Sequence, residues 1–376
     1  MANLLFVLGT RPEVIKLAPV IAAFRAHGAP FSVQVCVTGQ HRQLLDQMLN
    51  IFSIKPDFDL NLMQENQTLA SLTGRIINSV NDLLAREKPD WIFVQGDTTT
   101  VMAASLAAYY NNIKVAHIEA GLRTGDKYSP FPEEINRRVA ACVADLHLAP
   151  TKWARQNLLR ENVGPEKIHV TGNTAIDALL YMREKNKTHG PELMEKLTGL
   201  GLPADLSKMV LITGHRRENF GTGFREICLA IRELAALHPE CLFLYPVHLN
   251  PNVQKPVFEI IGNVPNVKLL PPLGYPEFVF LMEKSYLILT DSGGVQEEAP
   301  SLGKPVLVMR TTTERPEAVQ ANTAKLVGAN KETIIANVRL LLENKDEYNR
   351  MAAAINPYGD GKASQRILAI FNSLLK

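Results

Sequence analysis

Short apolar runs alternate with amphipathic stretches along almost the whole chain, and this alternation restricts the fold more than any other feature of the sequence. In the first half the runs are Leu4–Leu8, Val33–Thr38, Trp91–Gln95, Val115–Ile118, Leu146–Ala149 and Lys167–Thr171. Each is rich in Val, Ile or Leu and stops at a Gly, Pro or polar cluster, as buried parallel strands do. Helical patterns over 13–27, 69–87 and 98–111 separate them. The alternation predicts a parallel sheet covered by helices.

The alternation pauses over residues 186–207, which are rich in Lys, Gly and Pro, and then resumes. The predicted strands of the second half are Met209–Thr213, Cys241–Pro246, Val267–Leu270, Tyr286–Thr290 and Pro305–Met309. The sequence therefore predicts an α/β protein of two doubly wound domains, 1–185 and 208–360, joined by 186–207. A helix over 361–376 is expected to pack back on the first domain. Ligands bind beyond the carboxyl ends of such strands, so we expect the site in the cleft between the domains.

Composition and charge argue against several classes of protein. Forty Lys and Arg against 38 Asp and Glu leave a formal charge of +2, which argues against a nucleic-acid partner or a polybasic membrane binder. No apolar run reaches the length of about 18 residues that a membrane span needs, and the N-terminus lacks the basic start of a signal peptide. The four cysteines lie far apart, which favours free thiols over disulfides or a zinc site. We expect a cytoplasmic protein without a metal.

The first polar cluster follows the first predicted strand. Gly9-Thr10-Arg11-Pro12-Glu13 ends that strand, and Lys16 lies one turn further on. A glycine, a helix N-terminus and two cations suit a diphosphate. By itself the cluster is equally consistent with a turn that has Pro at the first helical position.

Three carboxylates follow later strands of the first half. Asp97 lies in Gln95–Thr100, where an N-cap is the simpler interpretation. Glu119 closes a buried strand, where an unpaired carboxylate is costly, so it is either salt-bridged or catalytic. Glu133 follows a loop broken by Gly and Pro. Together these three residues form a candidate acid/base set.

The second half carries a histidine and an anion-binding turn. His215 ends a predicted strand beside two arginines. Ser292-Gly293-Gly294 opens a helix after another strand, and its backbone N–H groups suit an anion. Glu298 could accept hydrogen bonds from ribose hydroxyls, and Arg315 adds a cation.

The familiar cofactor fingerprints are missing from the sequence. Gly199–Ala204 matches the letters of a dinucleotide-binding turn, but it follows no strand and contains a proline. This argues against sugar epimerisation by transient oxidation on a nicotinamide. Neither Gly-Lys pair, at 303–304 or 361–362, has the Ser or Thr that a P-loop needs.

These motifs resemble those of the bacterial non-hydrolysing UDP-N-acetylglucosamine 2-epimerases, and the resemblance runs essentially from end to end. The matching segments are 9–16, 39–47, 96–100, 117–134, 171–179, 214–219, 245–251, 291–308, 312–317 and 356–361. The resemblance implies reversible conversion of UDP-GlcNAc to UDP-ManNAc. It also implies two Rossmann-like domains of the GT-B type, a homodimer and no cofactor.

The resemblance also implies roles for individual residues. The acid/base residues would be Asp97, Glu119, Glu133 and His215, although His215 could instead hold the leaving phosphate. The residues implied for UDP are Arg11, Lys16, Ser292, Gly293, Gly294 and Arg315 at the diphosphate, Glu298 at the ribose and Phe278 near the uracil. A second, activating UDP-GlcNAc would contact Gln40, Gln43, Arg216 and His248. Asn66 stands where activator-requiring relatives tend to have a basic residue.

Three other functions fit parts of the same pattern. A hydrolysing epimerase would release free ManNAc and UDP from the same fold. A GT-B glycosyltransferase would need an acceptor site and would not require the three carboxylates. A nucleotide-sugar sensor without activity would need no proton-transfer groups, which Asp97, Glu119, Glu133 and His215 provide.

Overall fold

The computed structural model describes residues 1–39, 42–64 and 67–374, with the backbone alone described for 42–44. The chain forms two compact units. Unit 1 comprises Met1–Ala178 with Tyr358–Lys376, and unit 2 comprises Leu179–Pro357. None of the described helices is both long and apolar enough to cross a membrane.

Unit 1 is built on a parallel sheet of seven strands in the order β3-β2-β1-β4-β5-β6-β7. The strands are β1 Ala2–Leu8, β2 Phe31–Val37, β3 Phe58–Asp59, β4 Trp91–Gln95, β5 Lys114–Ile118, β6 Leu146–Ala149 and β7 Ile168–Val170. The order runs outward from β1 in both directions, and β1 therefore lies beside β4 rather than at an edge. The six predicted strands are present. The sequence missed β3 because its two residues, at the edge of the sheet, are too few to form a periodic pattern.

Eight helices are described in unit 1 or continue from it. They are α1 Arg11–His27, α2 Arg42–Ile51, α3 Leu69–Glu87, α4 Thr99–Tyr110, α5 Glu133–Val143, α6 Lys152–Arg160, α7 Thr174–Gly199 and α15 Ala363–Leu374. Three of them begin at a threonine whose hydroxyl accepts a backbone N–H of the first turn: Thr68, Thr98 and Thr151. Such caps satisfy N–H groups that the helix itself cannot.

The C-terminal helix α15 returns to unit 1, as predicted. Its Phe371 ring packs 5.6 Å from Phe24 of α1 and 4.7 Å from Phe93 of β4, measured between centroids. Asp177 of α7 accepts hydrogen bonds from the backbone N–H groups of Ala363 and Ser364 at 3.1 and 2.8 Å. The aromatic contact and the capped N-terminus together fix the last helix on the first unit.

Unit 2 has a parallel sheet of six strands in the order β10-β9-β8-β11-β12-β13. The strands are β8 Met209–Thr213, β9 Leu242–Pro246, β10 Val267–Leu270, β11 Leu287–Thr290, β12 Val306–Val308 and β13 Ala324–Leu326. The helices are α8 Thr222–Leu237, α9 Pro251–Ile261, α10 Tyr275–Lys284, α11 Gly293–Glu298, α12 Pro316–Gln320, α13 Lys331–Glu343 and α14 Lys345–Ala352. Two Rossmann-like units confirm the predicted α/β class. The short edge strand β13 was not predicted.

The chain passes from unit 1 to unit 2 inside a helix, whereas the sequence predicts a connection over 186–207. Helix α7 continues through this segment to Gly199 and contains Pro191. Leu193 and Leu197, four residues apart, are buried. Their burial on one helical face outweighs the cost of an internal proline, which the sequence pattern overestimated.

Candidate active site

The polar clusters of unit 1 meet at the carboxyl ends of three neighbouring strands. β1 pairs with β4 over Leu4–Phe6, and β4 pairs with β5 over Trp91–Gln95. Parallel pairing brings the residues after each strand to the same edge of the sheet. This edge therefore collects the first turn of α1, the turn around Asp97 and the residue Glu119.

Glu119 follows β5 at this edge and is 7% exposed. Lys16 Nζ donates to its two carboxylate oxygens at 2.8 and 2.6 Å, and the Gln95 side-chain amide donates to Oε2. Glu119 has a φ of +63°, a left-handed conformation that is uncommon for residues other than glycine and recurs at functional sites. The sequence left two possibilities for Glu119, a salt bridge or a catalytic role. The salt bridge to Lys16 is present, and it does not exclude a catalytic role.

Asp97 is held by helix α5 from two sides. Arg137 donates to Asp97 Oδ2 from Nε at 2.9 Å, with Nη2 at 2.7 Å from the same oxygen. Asn136 Nδ2 donates to the Asp97 backbone oxygen at 2.9 Å. Arg137 Nη1 also contacts Glu134, which is fully buried, at 3.0 Å. Sequence analysis missed Arg137 and Glu134, whose spacing of three residues pairs them on α5, a helix that was not predicted.

Glu133 is the first residue of α5 and is half-buried. Its Oε2 atom is buried and has no hydrogen-bond partner among the described residues. A buried oxygen without a partner is uncommon in folded proteins and calls for an explanation such as a ligand or a catalytic role. Unit 1 thus places Asp97 and Glu119 at the ends of neighbouring strands and Glu133 on the helix that holds Asp97.

Two further titratable residues lie behind this edge, and sequence analysis assigned neither a role. Burial raises the pKa of Glu13 to about 7, although hydrogen bonds from neighbouring donors, including Thr98 and Gly9, oppose the rise. Burial lowers the pKa of His117 to about 4, so its imidazole is neutral near pH 7. His117 Nε2 lies 2.8 Å from the Gly96 backbone oxygen. Glu13 is part of the Gly9–Glu13 motif, but the sequence gives no indication that its side chain is buried.

The two cations predicted for a diphosphate have different surroundings in unit 1. Lys16 is engaged with Glu119, a pairing that sequence analysis did not foresee. Arg11 is the first residue of α1 and is half-buried.

In unit 2 the central contact joins His215 to a completely buried aspartate, Asp291. The carboxylate of Asp291 accepts the backbone N–H groups of His215 and Arg216, each at 2.9 Å, and lies 3.4 Å from His215 Nδ1. Burial lowers the pKa of His215, and the nearby Asp291 charge opposes this shift. The backbone contacts hold the His215 turn against the end of β11. Sequence analysis included Asp291 in a motif but gave it no role.

The Ser292–Gly294 turn was predicted to present bare N–H groups, and this is wrong for Ser292. Its backbone N–H donates to Thr290 Oγ1 at 2.9 Å. Gly293 lies against Arg315: a Cβ at Gly293 would be 2.6 Å from Arg315 Nη1, whereas a Cβ at Gly294 would meet nothing within 4 Å. The turn therefore has one glycine packed under a guanidinium and one facing open space.

Arg315 is buried and is neutralised by acidic neighbours. Its Nε donates to Glu297 at 2.7 Å and its Nη1 donates to Glu314 at 2.6 Å. Glu314 also contacts Arg310 Nη1 at 2.8 Å. Burial would raise the pKa of Glu314, but Arg315 and Arg310 hold it well below its usual range. The cation predicted from the sequence is thus part of an extended charge network.

The residues predicted for the ribose and uracil lie on neighbouring elements of unit 2. Glu298 ends α11, is 8% exposed and accepts a hydrogen bond from Tyr275 Oη at 3.2 Å. Phe278 lies on α10, three residues after Tyr275, and is half-buried. Tyr275 was not singled out from the sequence.

The residues implied for an activator are described only in part. Gln40 and Asn66 lie outside the described residues, and the side chain of Gln43 is also outside them. The His248 side chain is exposed, and its ring stacks on His215 at 5.5 Å between centroids. The Arg216 Nε atom is buried without a hydrogen-bond partner among the described residues.

Known proteins resemble this chain over its whole length. The family model of UDP-N-acetylglucosamine 2-epimerase matches residues 23–372. A UDP-N-acetylglucosamine 2-epimerase of Escherichia coli K12 is 54% identical over 366 residues, covering 97% of each chain. The crystal structure of UDP-GlcNAc 2-epimerase from Neisseria meningitidis bound to UDP-GlcNAc has 51% identity and a TM-score of 0.93, covering 99% of this chain and 100% of that one. The Methanocaldococcus jannaschii UDP-GlcNAc 2-epimerase in complex with UDP-GlcNAc and UDP has 35% identity and a TM-score of 0.82, covering 99% of each. These matches confirm the predicted GT-B fold class.

Proposed function

The chain belongs to the UDP-N-acetylglucosamine 2-epimerase family of isomerases, and from this premise we propose that it interconverts UDP-GlcNAc and UDP-ManNAc without hydrolysing them. The proposed route eliminates UDP to form 2-acetamidoglucal and then adds UDP back. The main support is that Asp97 and Glu119 lie at the ends of paired strands, each held by a cation from a different helix.

The chemistry explains why such a route needs several carboxylates. No carbonyl is adjacent to C2 of the sugar, so the C2 proton is barely acidic. The anomeric carbon carries UDP, which is a good leaving group. Loss of the C2 proton with departure of UDP gives the glucal, and re-addition with protonation on the other face of C2 inverts that carbon. The enzyme must supply a base and an acid for C2 and must hold both intermediates in place.

We assign the proton transfers to Asp97, Glu119 and Glu133. Asp97 and Glu119 are fixed by Arg137 and Lys16, so their carboxylates approach a substrate with little freedom to reorient. The buried Oε2 atom of Glu133 has no protein partner among the described residues and is available to a substrate atom. Lys16 positions Glu119 in this scheme, in addition to any contact with the diphosphate.

We assign nucleotide binding chiefly to unit 2. Ser292, Gly294 and Arg11 would contact the diphosphate, Glu298 the ribose and Phe278 the uracil. Arg315 and Gly293 would also lie at the diphosphate, as the resemblance implies. Arg315 packs against Gly293, and its charge is shared with Glu297 and Glu314. His215, held by Asp291, would stabilise or protonate the leaving phosphate. Family membership further supports a homodimer that supplies ManNAc units for a cell-surface polysaccharide.

The proposal is tested by an NMR time course of the purified protein with UDP-GlcNAc in D₂O, without added nicotinamide. We expect signals of UDP-ManNAc to grow, with deuterium entering C2 of both sugars. Deuterium at C2 requires that the C2–H bond breaks, which simple binding cannot cause. Release of free ManNAc and UDP would instead indicate a hydrolysing epimerase.

Absence of any reaction, also at high UDP-GlcNAc, would contradict the proposal and favour a glycosyltransferase or a sensor. The dependence of rate on substrate concentration tests the activator hypothesis in the same experiment. A sigmoidal curve would support a second UDP-GlcNAc bound near Arg216 and His248. A hyperbolic curve would count against it.

A further inference from the structure

The turn that carries Asp97 is held by four side chains from three different elements. His117 Nε2 of β5 lies 2.8 Å from the Gly96 oxygen, and Asn136 of α5 donates to the Asp97 oxygen at 2.9 Å. Arg137 of α5 holds the Asp97 carboxylate. The fourth side chain is Glu13 of α1. It contacts the residue that follows Asp97, because Thr98 Oγ1 donates to Glu13 Oε1 at 3.0 Å.

Glu13 also holds a second turn of the same edge. Its Oε2 accepts the backbone N–H of Gly9 at 3.1 Å, at the end of β1. Glu13 is the third residue of α1 and is 1% exposed. One carboxylate therefore ties the Gly9 turn to the Asp97 turn from behind, where it cannot be reached by solvent. A buried carboxylate is costly unless it has such partners.

We propose that Glu13 is a positioning residue that sets the place of Asp97 through Thr98, and that it does so fully only while its carboxylate is ionised. This inference rests on the function proposed above. An ionised Glu13 accepts from both Gly9 N–H and the Thr98 hydroxyl. A protonated Glu13 can still accept the Gly9 N–H at one oxygen, but its other oxygen then carries a proton and donates to Thr98 Oγ1. The Thr98 hydroxyl, which already accepts the Val101 N–H at 3.2 Å, must then turn its own proton away from Glu13.

The surroundings allow this change to occur near neutral pH, because burial raises the pKa of Glu13 to about 7. The charged groups on the elements around it are few. Arg11 and Lys16 lie on α1 itself, and Lys16 is paired with Glu119 of the β5 end. Asp97 lies next to Thr98 and is paired with Arg137 of α5. His117 of β5 is neutral in this range because burial lowers its pKa to about 4.

The test compares kcat and KM for UDP-GlcNAc from pH 6 to pH 8.5 in the wild type and in Glu13→Gln. Gln has the size of Glu but cannot ionise. We expect the wild-type kcat to decrease about tenfold as the pH falls through an inflection near 7. A tenfold decrease corresponds to the net contribution of about one hydrogen bond. Glu13→Gln should stay near the lower value over the whole range, with KM little changed, because Glu13 does not touch the substrate.

Asp177→Asn is the matched control. Asp177 is another buried carboxylate of unit 1 that accepts backbone N–H groups at a helix start, where burial raises its pKa, but it holds α15 instead of the Asp97 turn. This variant should lose stability and keep the inflection in kcat. An active wild type whose profile is unchanged in Glu13→Gln would overturn the inference alone. A wild type inactive at every pH would overturn it together with the proposed function.

Discussion

The Lys16 ammonium lies 2.6 and 2.8 Å from the two carboxylate oxygens of Glu119, residues that are 103 positions apart in the chain. Both side chains are largely buried. The pair joins α1 to the end of β5 and compensates the one carboxylate of this edge that sits on a left-handed backbone. Several consequences of this and related contacts can be measured.

Replacing Lys16 by Met should destabilise the protein because it leaves the buried Glu119 carboxylate without its cation. We expect the free energy of unfolding to fall by about 3–5 kcal/mol, measured by denaturant titration. The double variant Lys16→Met/Glu119→Gln has no uncompensated charge at this place, so part of the lost free energy of unfolding should be recovered. Equal stability of Lys16→Met and wild type would show that the pair does not support the fold.

Asp97→Asn and Glu119→Gln should each keep the fold and lose turnover, although Glu119→Gln should also lose stability because it leaves the largely buried Lys16 ammonium without its anion. Loss of a group that transfers protons typically lowers kcat by about 10²–10⁴-fold, and the rate of deuterium entry at C2 should fall with it. Glu161→Gln is the control, because the exposed Glu161 pairs with Arg123 and lies outside the proposed acid/base set, so its replacement should leave kcat near that of the wild type. Near-normal rates in both carboxylate variants would exclude these residues as the proton-transfer groups.

Gly293→Ala should disrupt the charge network of Arg315, whereas Gly294→Ala should not. The new Cβ at Gly293 would be 2.6 Å from Arg315 Nη1, so the guanidinium would have to move from Glu297 and Glu314. Gly294 has free space, and Ala is favoured over Gly within a helix by about 1 kcal/mol. Melting temperatures should therefore fall for the first variant and stay or rise for the second. The reverse order would contradict this role for Gly293.

Acid should destabilise unit 1 through His147, whose pKa is lowered to about 3 by burial, with His117, Lys167 and Arg123 adding to the shift. Between the unfolded pKa of about 6.5 and the folded value, the unfolded chain binds one more proton at this residue, so stability rises with pH. Glu13 acts in the opposite direction, since its pKa is raised to about 7 in the folded state.

The contribution of His147 is isolated by comparing wild type with His147→Gln. Between pH 6 and pH 4 the unfolding free energy of the wild type should fall more steeply with decreasing pH than that of the variant. The two slopes should differ by about 1.4 kcal/mol per pH unit, which corresponds to one proton. The measurement is a series of denaturant titrations across that range. Parallel stability curves for the two proteins would mean that His147 is protonated equally in both states.

The fold was largely predictable because its signals are local. Apolar runs such as Trp91–Gln95 and Met209–Thr213 coincide with strands, and polar residues follow them at the predicted edges. The misses have physical causes. β3 and β13 are too short to form a pattern. A connection between the domains was predicted over 186–207 because this segment is rich in Lys, Gly and Pro, but α7 continues to Gly199 with Leu193 and Leu197 buried.

The sequence by itself determined the class of fold, the residues at the strand ends and, through its motifs, the family. These depend on which residue types lie a few positions apart. Only the tertiary structure decided that Lys16 holds Glu119, that Arg137 holds Asp97 and that Glu13 joins two turns. Such pairings depend on strand order, which brings β1, β4 and β5 side by side, and on burial, which sets the cost of an unpaired charge. Neither quantity can be read from positions that are close in the chain.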